Sequence, residues 1–412
     1  MKPRILWDGK DHPKLNSGYG IMGRYLLPRL GDHYGRDNII ICAPVYEHDC
    51  TTEWEGIKVV SGVTFDFGEG LILDVYRNNQ YNILLMAGDA WPLGIVPDLA
   101  ARDELVWVQW LPWDWLGCPK NIFHRLRPAH KIIPFSKYGE AAARKGGLPN
   151  VEAAIWLGLN TSMWKPIPRE DLPEVMRLLG FGYDTYNILI VAANQQRKNL
   201  REQLEAINLF RRTNPQVPVR LYLHSHMRGE RDLLADCDEL NLVDILVYPD
   251  PYLMTQGGVP EETMVKVFNC ADVVLNVCQE GFGLPMLQAQ ALGIMTIYLN
   301  EGPGPEVVKA GVGTPAMASE TFPNQMTKAI PNPIAIARGL EEIWRRQVEQ
   351  GKPLRSEKSV QFVRENFDWD NIASQWFKVI DKVMEERDRY CWDVPEPSEE
   401  LRERAKGEVV LR

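Results

Sequence analysis

Val273-Val274-Leu275-Asn276-Val277-Cys278-Gln279-Glu280-Gly281-Phe282-Gly283-Leu284-Pro285 passes from an apolar run through a glycine-containing turn to a proline that opens a second apolar stretch. The run predicts a buried strand over Val273–Val277. Pro285 suits the first turn of a helix, predicted over Pro285–Leu292. Strand, turn and helix in that order are half of a parallel α/β unit, whose ligands sit at the carboxyl ends of the strands. The two glycines let the backbone approach a ligand closely, and Glu280 stands beside them as an acceptor for hydroxyls. A purely structural strand-to-helix turn is the alternative.

The same rhythm extends outward in both directions. Toward the amino terminus, strands are predicted at Ile5–Trp7, Ile39–Val45, Ile83–Ala87, Leu105–Leu111 and Lys131–Pro134, with helices at Tyr19–Leu30 and Tyr138–Lys145. In the second half, strands are predicted at Asn187–Ala192, Val219–His224, Leu246–Pro249, Val273–Val277 and Thr296–Leu299. Helices are predicted at Leu200–Thr213, Met264–Cys270, Pro285–Leu292, Ile334–Gln350 and Ile372–Arg387. Apolar strands separated by helical patterns indicate parallel sheets covered on both faces. The chain therefore reads as two doubly wound α/β halves, divided near Trp164-Lys165-Pro166-Ile167-Pro168, where two prolines stiffen a polar linker.

Other strand-end segments carry chemistry. Asn194-Gln195-Gln196-Arg197-Lys198-Asn199 puts a guanidinium and an ammonium before a helix, a combination that suits a diphosphate; an exposed basic loop is the alternative. Gly18-Tyr19-Gly20-Ile21-Met22-Gly23 matches G-x-G-x-x-G, but polar residues separate it from its strand, and Ile39–Val45 has no carboxylate at its tip. A dinucleotide site is therefore disfavoured, leaving a glycine-rich loop against a ligand or a simple turn. Val108-Gln109-Trp110-Leu111-Pro112-Trp113-Asp114-Trp115 sets one carboxylate among three indoles, fit for carbohydrate stacking or for a core patch with a capping aspartate. Glu301-Gly302-Pro303-Gly304-Pro305-Glu306 is a further loop of the same rim. Asp236-Cys237-Asp238 and Asp368-Trp369-Asp370 spell D-x-D without following a strand. His224-Ser225-His226 has no third ligand at a recognisable metal spacing.

Composition narrows the classes. The chain has 412 residues, enough for two domains, and a formal net charge of −9, which argues against a nucleic-acid surface. Seven scattered cysteines without a Cys-x-x-Cys pair favour a reducing, cytoplasmic compartment over a disulfide framework. The start reaches charge too early for a signal peptide, and no apolar run approaches the ~18 residues of a membrane span. The tail from Tyr390 is rich in Glu, Arg and Pro and reads as solvated.

These segments, in this order, resemble glycosyltransferase family 4, the large retaining family of GT-B fold. Ser17–Gly23 is similar to its glycine-rich loop, Ile132–Gly139 to the strand and serine turn late in its first domain, and Ala154–Pro166 to its domain-crossing segment. Ala193–Leu200 resembles its diphosphate loop, Asn269–Val273 its strand lead-in, Glu280–Gly293 its signature, and Phe367–Asp370 with Gln375-Trp376 its terminal helix. The resemblance implies two Rossmann-like domains, 1–165 on the acceptor side and 166–372 on the nucleotide-sugar side, with 373–412 returning to the first.

It also implies site roles. Arg197 and Lys198 would hold the donor diphosphate; Glu280 with the amides of Gly281, Phe282 and Gly283 would hold the sugar. Gly18, Tyr19, Gly20, Asn194, Leu284 and Gln288 would complete donor binding. Asp114 falls where the family has a polar catalytic or acceptor-contacting residue, with Trp113 and Trp115 on the acceptor side. The expected activity is metal-independent, retaining transfer from a UDP- or GDP-sugar to an unidentified acceptor, with no cofactor. A nucleotide-sugar-binding protein of weak or lost catalysis, or a phosphorylase or epimerase of the same fold, are the alternatives. Two departures stand out. Gln288 replaces the second signature glutamate, keeping a carbonyl acceptor and losing the charge, and Leu157 stands where the crossing turn usually has histidine.

Overall fold

Seven strands form the first sheet: β1 (Ile5–Asp8), β2 (Ile39–Ala43), β3 (Thr51–Trp54), β4 (Ile57–Ser61), β5 (Ile83–Ala87), β6 (Trp107–Leu111) and β7 (Lys131–Pro134), in the order β3-β4-β2-β1-β5-β6-β7. All neighbours are parallel except β3 and β4. Every residue of β1, β2, β5, β6 and β7 is buried, which is why these strands read as continuous apolar runs rather than alternating ones. The computed structural model describes residues 2–43, 51–61, 69–78, 81–102, 105–255 and 258–386.

The chain divides into two compact units. The first comprises Met1–Pro112, Gly117–Trp156 and the chain from Trp369 on; the second comprises Trp113–Leu116 and Leu157–Asp368. In the first unit, helix Gly18–Tyr34 starts where the Ser17 hydroxyl accepts from Gly20 N at 3.0 Å, and helix Lys137–Lys145 starts where Ser136 accepts from Gly139 N at 3.1 Å. Helix Trp369–Glu386 lays an apolar stripe on this unit. Trp369 stacks on Tyr25 at 5.8 Å, Phe377 on His33 at 4.0 Å, and Trp376 meets the edge of Trp110 at 5.1 Å. Arg29 pairs with Asp370 at 2.7 Å, and the Tyr34 hydroxyl donates to Asp381 at 2.9 Å.

In the second unit, β8 (Tyr186–Val191), β9 (Val219–His224), β10 (Leu246–Val247), β11 (Val273–Asn276), β12 (Met295–Leu299) and β13 (Gly311–Thr314) form a parallel sheet ordered β10-β9-β8-β11-β12-β13. An antiparallel hairpin, β14 (Ala316–Thr321) and β15 (Thr327–Pro331), follows. The core lies between this sheet and its helices, around Ile188, Leu204, Ile207, Phe210, Leu275 and Leu340.

The predicted elements are present with ends shifted by a few residues. The strand predicted at Leu246–Pro249 is only Leu246–Val247, and that predicted at Leu105–Leu111 begins at Trp107. Pro44 and Val45, Arg387 and the tail from Tyr390 lie outside the described residues. The chain enters the second unit at Leu157, ahead of the proline pair. Side-chain anchors explain this. Trp164 Nε1 donates to Glu261 at 2.7 Å, Ile167 N donates to Asn269 Oδ1 at 2.9 Å, and Asn269 Nδ2 donates to Lys165 O at 3.2 Å. The stretch that reads as a linker is fastened to helix Glu261–Cys270 of the second unit.

Candidate functional site

The strand order of the second sheet reverses between β8 and β11: β9 and β10 lie to one side of β8, and β11, β12 and β13 to the other. Such a reversal opens a crevice at the carboxyl ends of the two strands. The residues that follow β8 are Ala192–Lys198, and those that follow β11 are Val277–Gly283, so Arg197, Lys198 and Glu280 are delivered to one place.

Their geometry is close. Lys198 Nζ donates to both Glu280 oxygens, at 2.7 and 2.6 Å. The Cys278 thiol, which burial keeps protonated, donates to Glu280 Oε1 at 3.4 Å. Arg197 Nη1 reaches Asp114 Oδ2 at 3.2 Å, and Lys328 Nζ reaches the same oxygen at 2.7 Å. Asp114 lies in Trp113–Leu116, the short segment that packs as part of the second unit. Buried Gln203 braces the two strand-end loops, donating to Lys198 O at 3.0 Å and accepting from Val277 N at 3.4 Å. Asn199 takes the left-handed conformation at φ 51°, ending the short turn Gln196–Lys198 so that helix Leu200–Thr213 can begin.

Electrostatics follows from this packing. Burial alone would raise the Asp114 carboxyl, but the Lys328 and Arg197 charges outweigh it and hold the group below the usual carboxylate range. Burial is likewise outweighed at Glu280 by Lys198 and then Arg197. Both carboxylates are ionised at neutral pH and act as acceptors only. Three cations interleaved with two carboxylates can receive an anion at the cations while returning a carboxylate to bind hydroxyls.

The other predicted residues are placed as follows. Gly281 and Gly283 are buried in the loop, with Gly283 at φ 90°, and Leu284 opens helix Leu284–Ala291, which carries half-buried Gln288. The Phe282 ring is 2% exposed and packs on Phe367 at 6.0 Å, so its part in the loop is its backbone. Asn194 commits its amide to the carbonyls of His226 and Arg231, both at 2.8 Å, which fixes the neighbouring loop. Gly18, Tyr19 and Gly20 belong to the first unit. There the Tyr19 hydroxyl lies 3.5 Å from Asp89 Oδ2, and a Cβ on Gly20 would collide with the Leu15 carbonyl. The expectation that Trp113 and Trp115 present stacking faces to an acceptor is corrected: both are fully buried, and their rings pack on each other at 4.9 Å.

The D-x-D stretches have structural partners. Asp236 binds Arg201 and Arg231, each at 2.9 Å, and Asp368 accepts from Thr161 at 2.6 Å. Burial pushes His224 down to about 4, leaving it neutral. Among the described residues no group of three His, Cys, Asp or Glu side chains could hold a metal, and no helix is long and apolar enough to cross a membrane. Sequence reasoning missed Lys328 and the buried Gln203, which have no motif around them, and gave no role to the buried Gln279 inside the loop it singled out.

Two doubly wound, largely parallel sheets in series give the GT-B fold. Residues 185–334 match the family described as Glycosyl transferases group 1. No curated protein matches the chain significantly. Among solved structures, sucrose-phosphate synthase from Thermosynechococcus elongatus aligns with TM-score 0.72 at 16% identity, over 93% of this chain and 100% of that one. Anabaena HepE in complex with UDP and glucose aligns with TM-score 0.66 at 15% identity, over 92% and 99%. A UDP-forming trehalose-phosphate synthase from Burkholderia xenovorans aligns with TM-score 0.60 at 11% identity, over 93% and 99%.

Proposed function

We propose that the protein transfers a sugar from a UDP- or GDP-linked donor to an acceptor hydroxyl, with retention and without a metal. The observation that carries this reading is the set of Arg197, Lys198 and Glu280 at the switch point of a group 1 domain. That HepE is complexed with UDP and glucose supports the choice of donor. The diphosphate draws Arg197 and Lys198 toward it. Lys198 then leaves Glu280, whose oxygens accept from sugar hydroxyls. The bond between the anomeric carbon and the diphosphate oxygen breaks, and its electron pair stays on the diphosphate. The acceptor oxygen bonds to the anomeric carbon on the same face, and its proton passes to the departing phosphate oxygen.

Arg197 and Lys198 stabilise the charge gathered on the leaving group more than they stabilise the ground state. Such a donor contributes roughly 3–4 kcal/mol in a dry site. Asp114 orients the acceptor or offsets positive charge at the reacting carbon. No cofactor beyond the donor is required by this scheme, and the free thiols Cys42, Cys118, Cys237, Cys270 and Cys278 favour a cytoplasmic setting.

A thermal-shift screen of UDP-, GDP- and ADP-sugars, followed by mass spectrometry of products, tests the reading. With a confirmed donor, the Arg197→Ala/Lys198→Ala variant is expected to lose turnover by about a thousandfold or more. Full turnover in that variant would remove the assignment.

A further inference from the structure

Strand β15 touches each segment that carries the site. Thr327 O accepts from Leu116 N at 2.7 Å, Ala329 N donates to Gln279 Oε1 at 2.9 Å, and Ala329 O accepts from Asn199 Nδ2 at 3.3 Å. Asn199 and Gln279 adjoin Lys198 and Glu280 in sequence, and Leu116 follows Asp114 in the same short segment. Lys328 stands between these anchors. Its side chain is 8% exposed, and its ammonium meets the Asp114 oxygen that Arg197 also uses.

One carboxylate oxygen serving two cations binds each less firmly than it would bind one alone. With Lys328 in place, Asp114 keeps an ionic partner when Arg197 turns away. Without it, moving Arg197 would strand a buried carboxylate, which is costly. Lys198 and Glu280 complete the charged groups facing this pair. We propose that Lys328 is a positioning residue of the donor site: it holds Asp114 so that Arg197 is available to a diphosphate. The proposal rests on the donor-site reading given above.

Calorimetric affinity for UDP, or for GDP or ADP where one of these binds more tightly, tests it in the full chain. Wild type is compared with Lys328→Met, Lys328→Arg, Asp114→Asn and the Lys328→Met/Asp114→Asn double variant, each checked for a cooperative melt. Lys328→Gln replaces Lys328→Met if the latter does not fold. Lys328→Met is expected to weaken binding about tenfold, and Lys328→Arg to restore it to within about threefold. In the Asp114→Asn background the same lysine change is expected to cost less than about threefold, since the competing charge is gone. An equal loss in both backgrounds would show that Lys328 acts directly on the ligand or only on the fold, and would overturn the proposal. Wild-type affinity in Lys328→Met would overturn it while leaving the donor site standing. Failure of the wild type to bind any of the three diphosphates would overturn the donor-site reading and this inference together.

Discussion

Asp114 is a buried carboxylate kept charged by its neighbours: burial works to neutralise it, and Lys328 and Arg197 prevail. Its folded value lies below the ordinary 3.8, so its contribution to stability is fully present above that value and is lost as pH falls through the folded one. Asp114→Asn keeps the shape and deprives Lys328 of its ionic partner. We expect the variant to be destabilised by about 3 kcal/mol at neutral pH, with the gap to wild type closing as pH falls below about 4. Urea denaturation of both proteins across this range measures it, and a gap independent of pH would contradict the ion-pair account. At this scale the sequence was informative where chemistry sat beside local punctuation. Arg197, Lys198 and Glu280 each lie just past an apolar run and just before a helix, so strand-end reasoning reached them. Lys328 is 214 residues from Asp114 along the chain, and only the tertiary register of β15 joins them.

Among the elements, the parallel strands were legible because burial on both faces makes them continuous apolar runs. The hairpins were not. In β14, Met317–Thr321 are exposed, and β3–β4 turns at Glu55-Gly56, both with positive φ, between short strands of mixed polarity. Neither offers the long apolar run that marks a buried strand. The loop from β11 to helix Leu284–Ala291 was legible in its glycines, and the structure separates their roles. Gly283 holds φ 90°, and a methyl there would also meet the Met286 side chain, which is flexible enough to move. Gly283→Ala should therefore cost about 1–2 kcal/mol from backbone strain. It should weaken UDP binding by more than this stability loss accounts for, because the loop backbone beside Glu280 shifts. Denaturation and calorimetry on the same preparation compare the two, and unchanged affinity would show that the loop tolerates a side chain and that its glycine serves packing.

For the whole molecule, the division of labour runs against sequence order. The last described helix, Trp369–Glu386, completes the core of the first unit, while Arg197, Lys198, Glu280, Lys328 and the short segment around Asp114 all belong to the second. Trp376 is fully buried against Trp110. Trp376→Ala should destabilise the first unit by about 3–5 kcal/mol through the cavity it leaves. UDP at a hundredfold excess over its Kd stabilises whatever carries its site by about 2.7 kcal/mol, and that increment depends on contacts that Trp376 does not make. Calorimetric melting with and without UDP is therefore expected to show a lowered transition for the variant and a ligand-induced increment equal to that of wild type. Loss of the increment at temperatures where the second unit remains folded would mean that nucleotide binding draws on the first unit's integrity, and that the terminal helix supports the site as well as its own core.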